Sequence, residues 1–290
     1  MERESHEDCF VTTNGLRLHY RDWGGAGQAV VLLHGLASNA RIWDFVAPRL
    51  ARGARVIALD QRGHGASDRP EHGYTFEEVT ADLAGVVAAL GFETPLIVGH
   101  SWGANVAVTY GASHAAGGIA LVDGGTFDLS GTPGMTWETA ERTMAPPRLA
   151  GTPRGRFLEM MRERAMPDLW AAEIEEIIMA QFDVFPDDTI APRLTFERHM
   201  EIVRAIWDYH PAELLASVTC PVLVLPTMRE GASDWVERKR AAITAAEAVA
   251  PHIRTFWLED SIHDVPLQRP ALLADTLIEF VNEIGTRAAG

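Results

Sequence analysis

A serine stands between two glycines in the segment Gly99-His100-Ser101-Trp102-Gly103. The segment directly follows an apolar run that predicts a buried strand, and it directly precedes an apolar run that predicts a helix. A chain that passes from strand to helix in so few residues must turn sharply, and only small flanking residues avoid a clash. Such a turn projects the Ser101 hydroxyl above the sheet at a helix N-terminus, where the dipole favours negative charge. The pattern predicts a nucleophilic serine.

Backbone amides near this serine could stabilise the negative charge that develops during acyl transfer. His34-Gly35-Leu36 follows a predicted strand that ends at Leu33, and Gly35 permits a turn that points amides inward. The residue after the nucleophile, Trp102, offers a second amide. We therefore expect the N–H groups of Leu36 and Trp102 to form an oxyanion hole.

A serine hydroxyl is a poor nucleophile at neutral pH and needs a base within hydrogen-bonding reach. Of the 11 histidines, His263 stands out because it lies in the loop after the last predicted strand. In a doubly wound sheet, loops at the carboxyl ends of strands line the site. His34 and His64 also lie on such loops, and we expect their rings to be held by backbone groups. The ring of His100 is expected to point away from the substrate.

The elements around these residues alternate between strand and helix. Six runs predict strands, and the first four of them are apolar without in/out alternation, as in parallel strands covered on both faces. Thr75 and Glu78 form a capping-box pattern that opens a helix running to about Leu90. Asn14-Gly15 predicts an antiparallel hairpin at one sheet edge. The fold class is therefore α/β, with a doubly wound, mostly parallel sheet. The predicted strands are 29–33, 55–59, 95–98, 118–122, 221–225 and 253–257.

The strand–helix rhythm stops after Asp123 and resumes near Pro221. Between them we find no strand pattern, only amphipathic helical stretches rich in Met and Trp, interrupted by prolines. We predict an α/β core formed by residues 1–125 and 212–290, with a helical cap, or lid, inserted as residues 126–211. The Met and Trp content favours an apolar pocket beneath the cap.

Composition excludes several classes of protein. The chain has 290 residues, 47% hydrophobic and 22% charged, with a net charge of −15. An acidic chain repels phosphate backbones, so we expect a small-molecule substrate and neither a nucleic-acid nor a membrane partner. No metal-ligand motif or glycine-rich cofactor loop is present, so no metal and no cofactor are expected. Two distant cysteines and the absence of a signal-peptide pattern predict a cytoplasmic protein.

Lys239 is the only lysine, which we interpret as codon composition.

These motifs resemble those of the α/β-hydrolase-fold serine hydrolases with a cap domain, the esterases and lactonases among them. The matching segments are His34-Gly35, residues 60–67, residues 99–103 and His263. The resemblance implies an acyl-enzyme mechanism. In it Ser101 attacks a carbonyl, His263 takes and returns the proton, and a carboxylate fixes the tautomer of His263. A serine at the turn speaks against the dehalogenase and epoxide hydrolase branches, which use aspartate there.

The carboxylate partner of His263 departs from the commonest pattern of that family, which places an aspartate just past the strand that follows the cap. Here the residue at about that place is Glu230, beside Arg229. The alternative is Asp123, at the end of the strand before the cap, where some relatives carry the acid. We favour Asp123 over Glu230, because the glycines after Asp123 would let it turn toward the His263 loop. Asp260 and Asp264 lie too close to His263 along the chain.

The expected reaction is hydrolysis of a small, largely apolar carboxylic ester or lactone. A carbon–carbon bond hydrolase and a cofactor-free haloperoxidase-like enzyme remain alternatives, because function on this fold is decided in the pocket. A non-catalytic small-ligand receptor is an alternative of a different class. The acidic chain is expected to disfavour anionic substrates at long range.

Overall fold

Strands and helices alternate through the part of the chain that the computed structural model describes, which is residues 6–165, 169–229, 233–250 and 252–289. The strands are β1 (Glu7–Thr13), β2 (Leu16–Gly24), β3 (Ala29–Leu33), β4 (Arg55–Leu59), β5 (Leu96–His100), β6 (Gly118–Val122), β7 (Thr152–Pro153), β8 (Phe182–Val184), β9 (Thr189–Pro192), β10 (Val222–Leu225), β11 (Thr227–Met228), β12 (Ile253–Thr255) and β13 (Leu258–Glu259).

The helices follow the same chain order, with a 3-10 turn at Ala40–Trp43 and a π-helical turn at Met161–Ala165. The α-helices are α1 (Ala47–Leu50), α2 (Phe76–Ala89), α3 (Trp102–Ser113), α4 (Trp137–Met144), α5 (Arg154–Met160), α6 (Ala172–Met179), α7 (Phe196–Trp207), α8 (Pro211–Leu215), α9 (Ser233–Val249), α10 (Val265–Gln268) and α11 (Pro270–Ala289).

An eight-stranded sheet has the strand order β1-β2-β4-β3-β5-β6-β10-β12. The pairs β1–β2 and β2–β4 are antiparallel, and the remaining pairs are parallel. The carboxyl ends of β3, β5, β6 and β10 therefore meet at one edge. The predicted fold class, a mostly parallel α/β sheet, is confirmed.

Two apolar layers cover the sheet, one on each face. Along β3, Val30 and Leu32 belong to one layer, while Val31 and Leu33 belong to the other. Because both faces are buried, these strands lack polar alternation, as the sequence predicted.

Local sequence signals of the core are also confirmed. Thr75 accepts a hydrogen bond from the Glu78 amide at 3.3 Å, and the Glu78 carboxylate accepts one from the Thr75 amide at 3.3 Å. This is the capping box that opens α2. Asn14 and Gly15 have φ values of 51° and 76°, which the tight β1–β2 turn requires.

Residues 123–221 add no strand to the eight-stranded sheet in their described part, and they contain α4 to α8. The expectation that this stretch lacks strands is wrong, because β7, β9 and β8 form a small antiparallel sheet in that order. These strands have two to four residues, too few to show a period of two. The β8–β9 turn uses Asp188 at φ 61°, and the Asp187 side chain accepts from the Thr189 amide at 3.1 Å. The division into core and cap stays a prediction.

None of the described helices is both long and apolar enough to cross a membrane.

The close approach of α3 to β3 makes Gly103 sensitive to substitution. A Cβ atom at Gly103 would lie 2.6 Å from the carbonyl oxygen of His34 and 2.7 Å from that of Leu33. Because both atoms are backbone, Gly103→Ala is expected to lower the free energy of unfolding by about 1–3 kcal/mol. Urea denaturation measures this loss.

Gly155→Ala in α5 is the matched control, since a Cβ atom there meets nothing within 4 Å. Alanine favours a helix over glycine, so the control should be as stable as the wild type or slightly more stable. Equal denaturation midpoints for Gly103→Ala and the wild type would contradict the packing of α3 on β3.

Candidate active site

Ser101 occupies a strained turn between β5 and α3. Its φ and ψ angles are 53° and −119°, a backbone conformation that residues other than glycine rarely adopt. A Cβ atom at Gly99 would lie 2.1 Å from the Gly103 carbonyl oxygen, so the turn closes only with glycine at that position. The Ser101 side chain makes no capping hydrogen bond to α3.

The register of β5 and β6 places Ser101 beside Asp123. His100 pairs with Val122, so Ser101 and Asp123 are the next residues of neighbouring parallel strands. The Ser101 amide donates to the Val122 carbonyl at 2.9 Å. Gly124 approaches so closely that a Cβ atom there would lie 2.3 Å from the Ser101 carbonyl oxygen. Ser101 and Asp123 are thereby fixed next to each other at one edge of the sheet.

The structure brings His263 together with Asp123. His263 Nδ1 lies 2.7 Å from Asp123 Oδ2. Because an ionised carboxylate only accepts, Nδ1 carries a proton, and Nε2 therefore holds the lone pair when the ring is neutral. Limited hydration lowers the pKa of His263, but the hydrogen bond and the charge of Asp123 outweigh it and raise that pKa above its ordinary value.

The second oxygen of Asp123 has partners of its own. Oδ1 accepts from the Thr227 amide at 2.9 Å and from Lys239 Nζ at 2.5 Å. Only 2% of the Asp123 side chain is exposed. Burial raises the pKa of Asp123, but hydrogen bonds and charges from His263 and Lys239 reverse this and keep it well below the usual range. The carboxylate is therefore ionised at neutral pH.

The turn after β3 lies against Ser101. A Cβ atom at Gly35 would lie 3.1 Å from Ser101 Cβ. Leu36 follows in this turn, which is closed by a 3.2 Å hydrogen bond from the Ser38 amide to the Gly35 carbonyl. Trp102 is the first residue of α3, where amides have no intrahelical acceptor. The amides expected to form an oxyanion hole thus belong to segments that adjoin Ser101.

This arrangement can be compared with known proteins. A sequence model of the alpha/beta hydrolase family matches residues 30–276. The chain belongs to the alpha/beta hydrolase family. The predicted resemblance at the level of family and fold is confirmed.

Individual relatives of this α/β hydrolase differ in the length that they match. This chain is 27% identical over 274 residues to N-formylmaleamate deformylase of Pseudomonas putida. The aligned region covers 88% of this chain and 89% of that protein. The chain is 39% identical over 90 residues to 2-(acetamidomethylene)succinate hydrolase of Mesorhizobium japonicum, covering 31% and 32%. The crystal structure of E-2-(acetamidomethylene)succinate hydrolase superimposes with a TM-score of 0.79 at 22% identity, over 96% of this chain and 100% of that one, a likeness of fold.

Three other histidines of the α/β hydrolase are buried near Ser101 and bonded to backbone groups. His34 Nδ1 lies 2.8 Å from the Gly35 carbonyl oxygen, and His64 Nε2 accepts from the Ala37 amide at 3.2 Å. His100 Nε2 lies 2.8 Å from the His263 carbonyl oxygen, which ties the Ser101 turn to the His263 loop. Burial lowers the pKa of His64 and of His100 to about 3, so both rings are neutral.

A cavity of about 600 Å³ adjoins this edge of the sheet. Leu36 and Asp264, the neighbour of His263, are among its lining residues. Ile177, Phe157 and Met161 contribute to an apolar wall, in line with the apolar pocket expected from the sequence. The lining also includes polar side chains that the sequence did not single out: Arg148, Arg193, Gln181, Glu197 and His199.

Among the candidate carboxylates, the structure places Asp123 against His263. Glu230 lies outside the described residues. Asp264 lines the cavity, and burial raises its pKa. Two charged residues near this edge were not among the predicted site residues: Lys239, which contacts Asp123, and Arg148, which lines the cavity.

The contact between Asp123 and His263 can be tested without a substrate. Asp123→Asn removes the charge that holds the proton on His263, so the His263 pKa should fall by about one pH unit or more. NMR titration of the imidazole signals measures this, with His263→Gln to assign the His263 signal.

Glu230→Gln is the matched control because it removes the charge of the other candidate. Its His263 pKa is expected to equal that of the wild type. If the His263 pKa falls in Glu230→Gln and stays unchanged in Asp123→Asn, then Glu230 and not Asp123 is the partner of His263.

Proposed function

We propose that this α/β hydrolase is a serine hydrolase that cleaves a small carboxylic ester or lactone through an acyl-enzyme intermediate. The observation that carries the proposal is the 2.7 Å hydrogen bond between Asp123 and His263, one strand away from the strained Ser101 turn. That bond directs the proton to Nδ1 and leaves Nε2 as the base.

In the acylation step, Ser101 Oγ attacks the substrate carbonyl carbon while His263 Nε2 takes its proton. The amides of Leu36 and Trp102 donate to the oxyanion of the tetrahedral intermediate. His263 then passes the proton to the leaving alkoxide, and the carbon–oxygen bond of the ester breaks. Asp123 stays ionised throughout and stabilises the imidazolium.

Deacylation repeats these steps with water. His263 Nε2 takes a proton from water, whose oxygen attacks the acyl carbon. The second intermediate collapses, and the proton returns to Ser101 Oγ. The products are a carboxylic acid and the regenerated serine, and no cofactor enters the balance.

A second candidate is hydrolysis of an amide in a substrate that carries a carboxylate. The Arg148 guanidinium lies 4.1 Å from the centre of the Phe196 ring and lines the cavity. No carboxylate of the described residues pairs with it, whereas Arg193 donates to Asp183 at 3.1 Å and to the Gly65 carbonyl at 2.6 Å. The names of two relatives, N-formylmaleamate deformylase and 2-(acetamidomethylene)succinate hydrolase, describe carboxylate-bearing amides. Arg148 would then bind the carboxylate of the substrate.

The covalent step is tested by labelling Ser101. A fluorophosphonate should form an adduct on Ser101 alone, located by peptide mass mapping. Ser101→Ala should abolish labelling and lower kcat for p-nitrophenyl acetate by roughly 10⁴-fold or more.

An adduct on another residue would contradict the proposed nucleophile. Labelling of Ser101 without turnover of esters, lactones or N-acyl amides would instead favour carbon–carbon bond hydrolysis, haloperoxidase-like chemistry or a ligand receptor. A substrate screen over those classes separates them.

The role of Arg148 is tested with two esters of equal chain length, p-nitrophenyl hexanoate and the mono-p-nitrophenyl ester of adipic acid. Arg148→Met should lower kcat/KM for the adipate half-ester about tenfold and change the hexanoate value less than about twofold, because only the first substrate presents a carboxylate.

Arg142→Met is the control, since Arg142 is an exposed arginine of α4 that does not line the cavity. It removes the same charge and should affect neither ester. Equal losses on both esters in Arg148→Met would rule out carboxylate recognition by Arg148.

A further inference from the structure

The only lysine of the chain contacts Asp123 at the edge of the sheet that carries Ser101. Lys239, in α9, directs Nζ to Asp123 Oδ1 at 2.5 Å, and to the carbonyl oxygen and Oγ1 of Thr227, both at 2.9 Å. These three acceptors match the three N–H groups of an ammonium. Only 13% of its side chain is exposed. Lys239 is thus a partly buried cation whose three N–H groups all have acceptors.

These contacts divide the Asp123 carboxylate between two sets of partners. Oδ1 is held by Lys239 and by the Thr227 amide, and Oδ2 faces His263 Nδ1. Because a carboxylate is planar and rigid, fixing Oδ1 also fixes the direction of Oδ2. The Ser261 amide donates to the Met228 carbonyl at 3.0 Å, which joins the strand of Thr227 to the loop of His263.

Four charged or titratable groups surround the His263 ring. Asp123 bonds Nδ1, Asp264 is the next residue, and the His100 ring lies 4.8 Å away between centroids. Lys239 lies on the far side of Asp123. The two carboxylates favour a protonated ring. Because His100 is neutral, Lys239 is the positive charge among these four groups. Its charge opposes protonation of the His263 ring.

We propose that Lys239 is a positioning residue that anchors the far oxygen of Asp123 and keeps the His263 ring unprotonated down to lower pH. The role of His263 as a base rests on the proposed function. The effect of Lys239 on the pKa of His263 does not depend on that function. Thr227 continues to hold Oδ1 when the lysine is replaced, so the loss of charge dominates the effect of substitution.

The first experiment is an NMR titration of His263 in Lys239→Met. Its pKa should rise by about half a pH unit or more, because the uncompensated charge of Asp123 then favours the imidazolium. Lys239→Arg retains the charge and should stay closer to the wild type. Arg238→Met, at an exposed neighbour in α9, removes the same charge and should leave the titration unchanged. An unchanged or lowered His263 pKa in folded Lys239→Met overturns the proposal.

The pH dependence of kcat/KM for p-nitrophenyl acetate provides a readout that a merely structural role would not move. In Lys239→Met the acid limb should shift to higher pH by the same amount as the NMR titration, and Lys239→Arg should restore it. A uniform loss of rate at every pH would contradict the proposal.

A third measurement uses the wild-type protein, so it does not depend on the folding of any variant. Lysine labelled with ¹³C at Cε introduces one side-chain signal, because the chain has one lysine. This signal should show a step at the pH where His263 titrates, and His263→Gln should remove the step. A signal without that step overturns the coupling even if the enzyme hydrolyses esters. A clear step in a protein without esterase activity would instead refute the proposed function alone.

Discussion

The burial of one carboxylate constrains the edge of the sheet that carries Ser101. Asp123 has 2% of its side chain exposed, and a charge buried to that extent must be hydrogen-bonded and paired. Its partners come from three other segments: the His263 loop, Thr227 in β11 and Lys239 in α9. The parallel pairing of β11 with β13 holds two of these segments together. Loop, strand and helix therefore depend on each other through the charge that they surround.

Backbone strain is concentrated at the same edge. Ser101 and Asp123 both have positive φ values, 53° and 49°. Such conformations cost about 1–3 kcal/mol each and persist only when the surrounding structure imposes them. Here the imposing contacts are backbone against backbone, since a Cβ atom at Gly99 or Gly124 would lie within 2.3 Å of a carbonyl oxygen. The surrounding backbone therefore holds both strained residues in place.

Net charge and local charge lead to different expectations about the substrate. The chain carries a net charge of −15, which repels anions at long range. Salt screens such repulsion beyond about 8–10 Å, however, so charges close to a bound molecule matter more than the net charge. Arg148 and Arg193 stand among largely apolar side chains there, with Glu197 and Asp264 as the opposing charges. The lining thus combines apolar side chains with two arginines, which the net charge of the chain alone does not indicate.

Features that depend on neighbouring residues could be predicted from the sequence alone: the buried strands, the capping box of α2, and the strand–turn–helix setting of Ser101. It also placed His263 in a loop at the edge of the sheet that carries Ser101. The short strands β7 to β9 escaped it because their pairing is not local. Only the tertiary structure brought Asp123 against His263 and Lys239 against Asp123. Those contacts join residues 140 and 116 positions apart in the chain. No local pattern encodes such distances, because they follow from how the strands are ordered and packed.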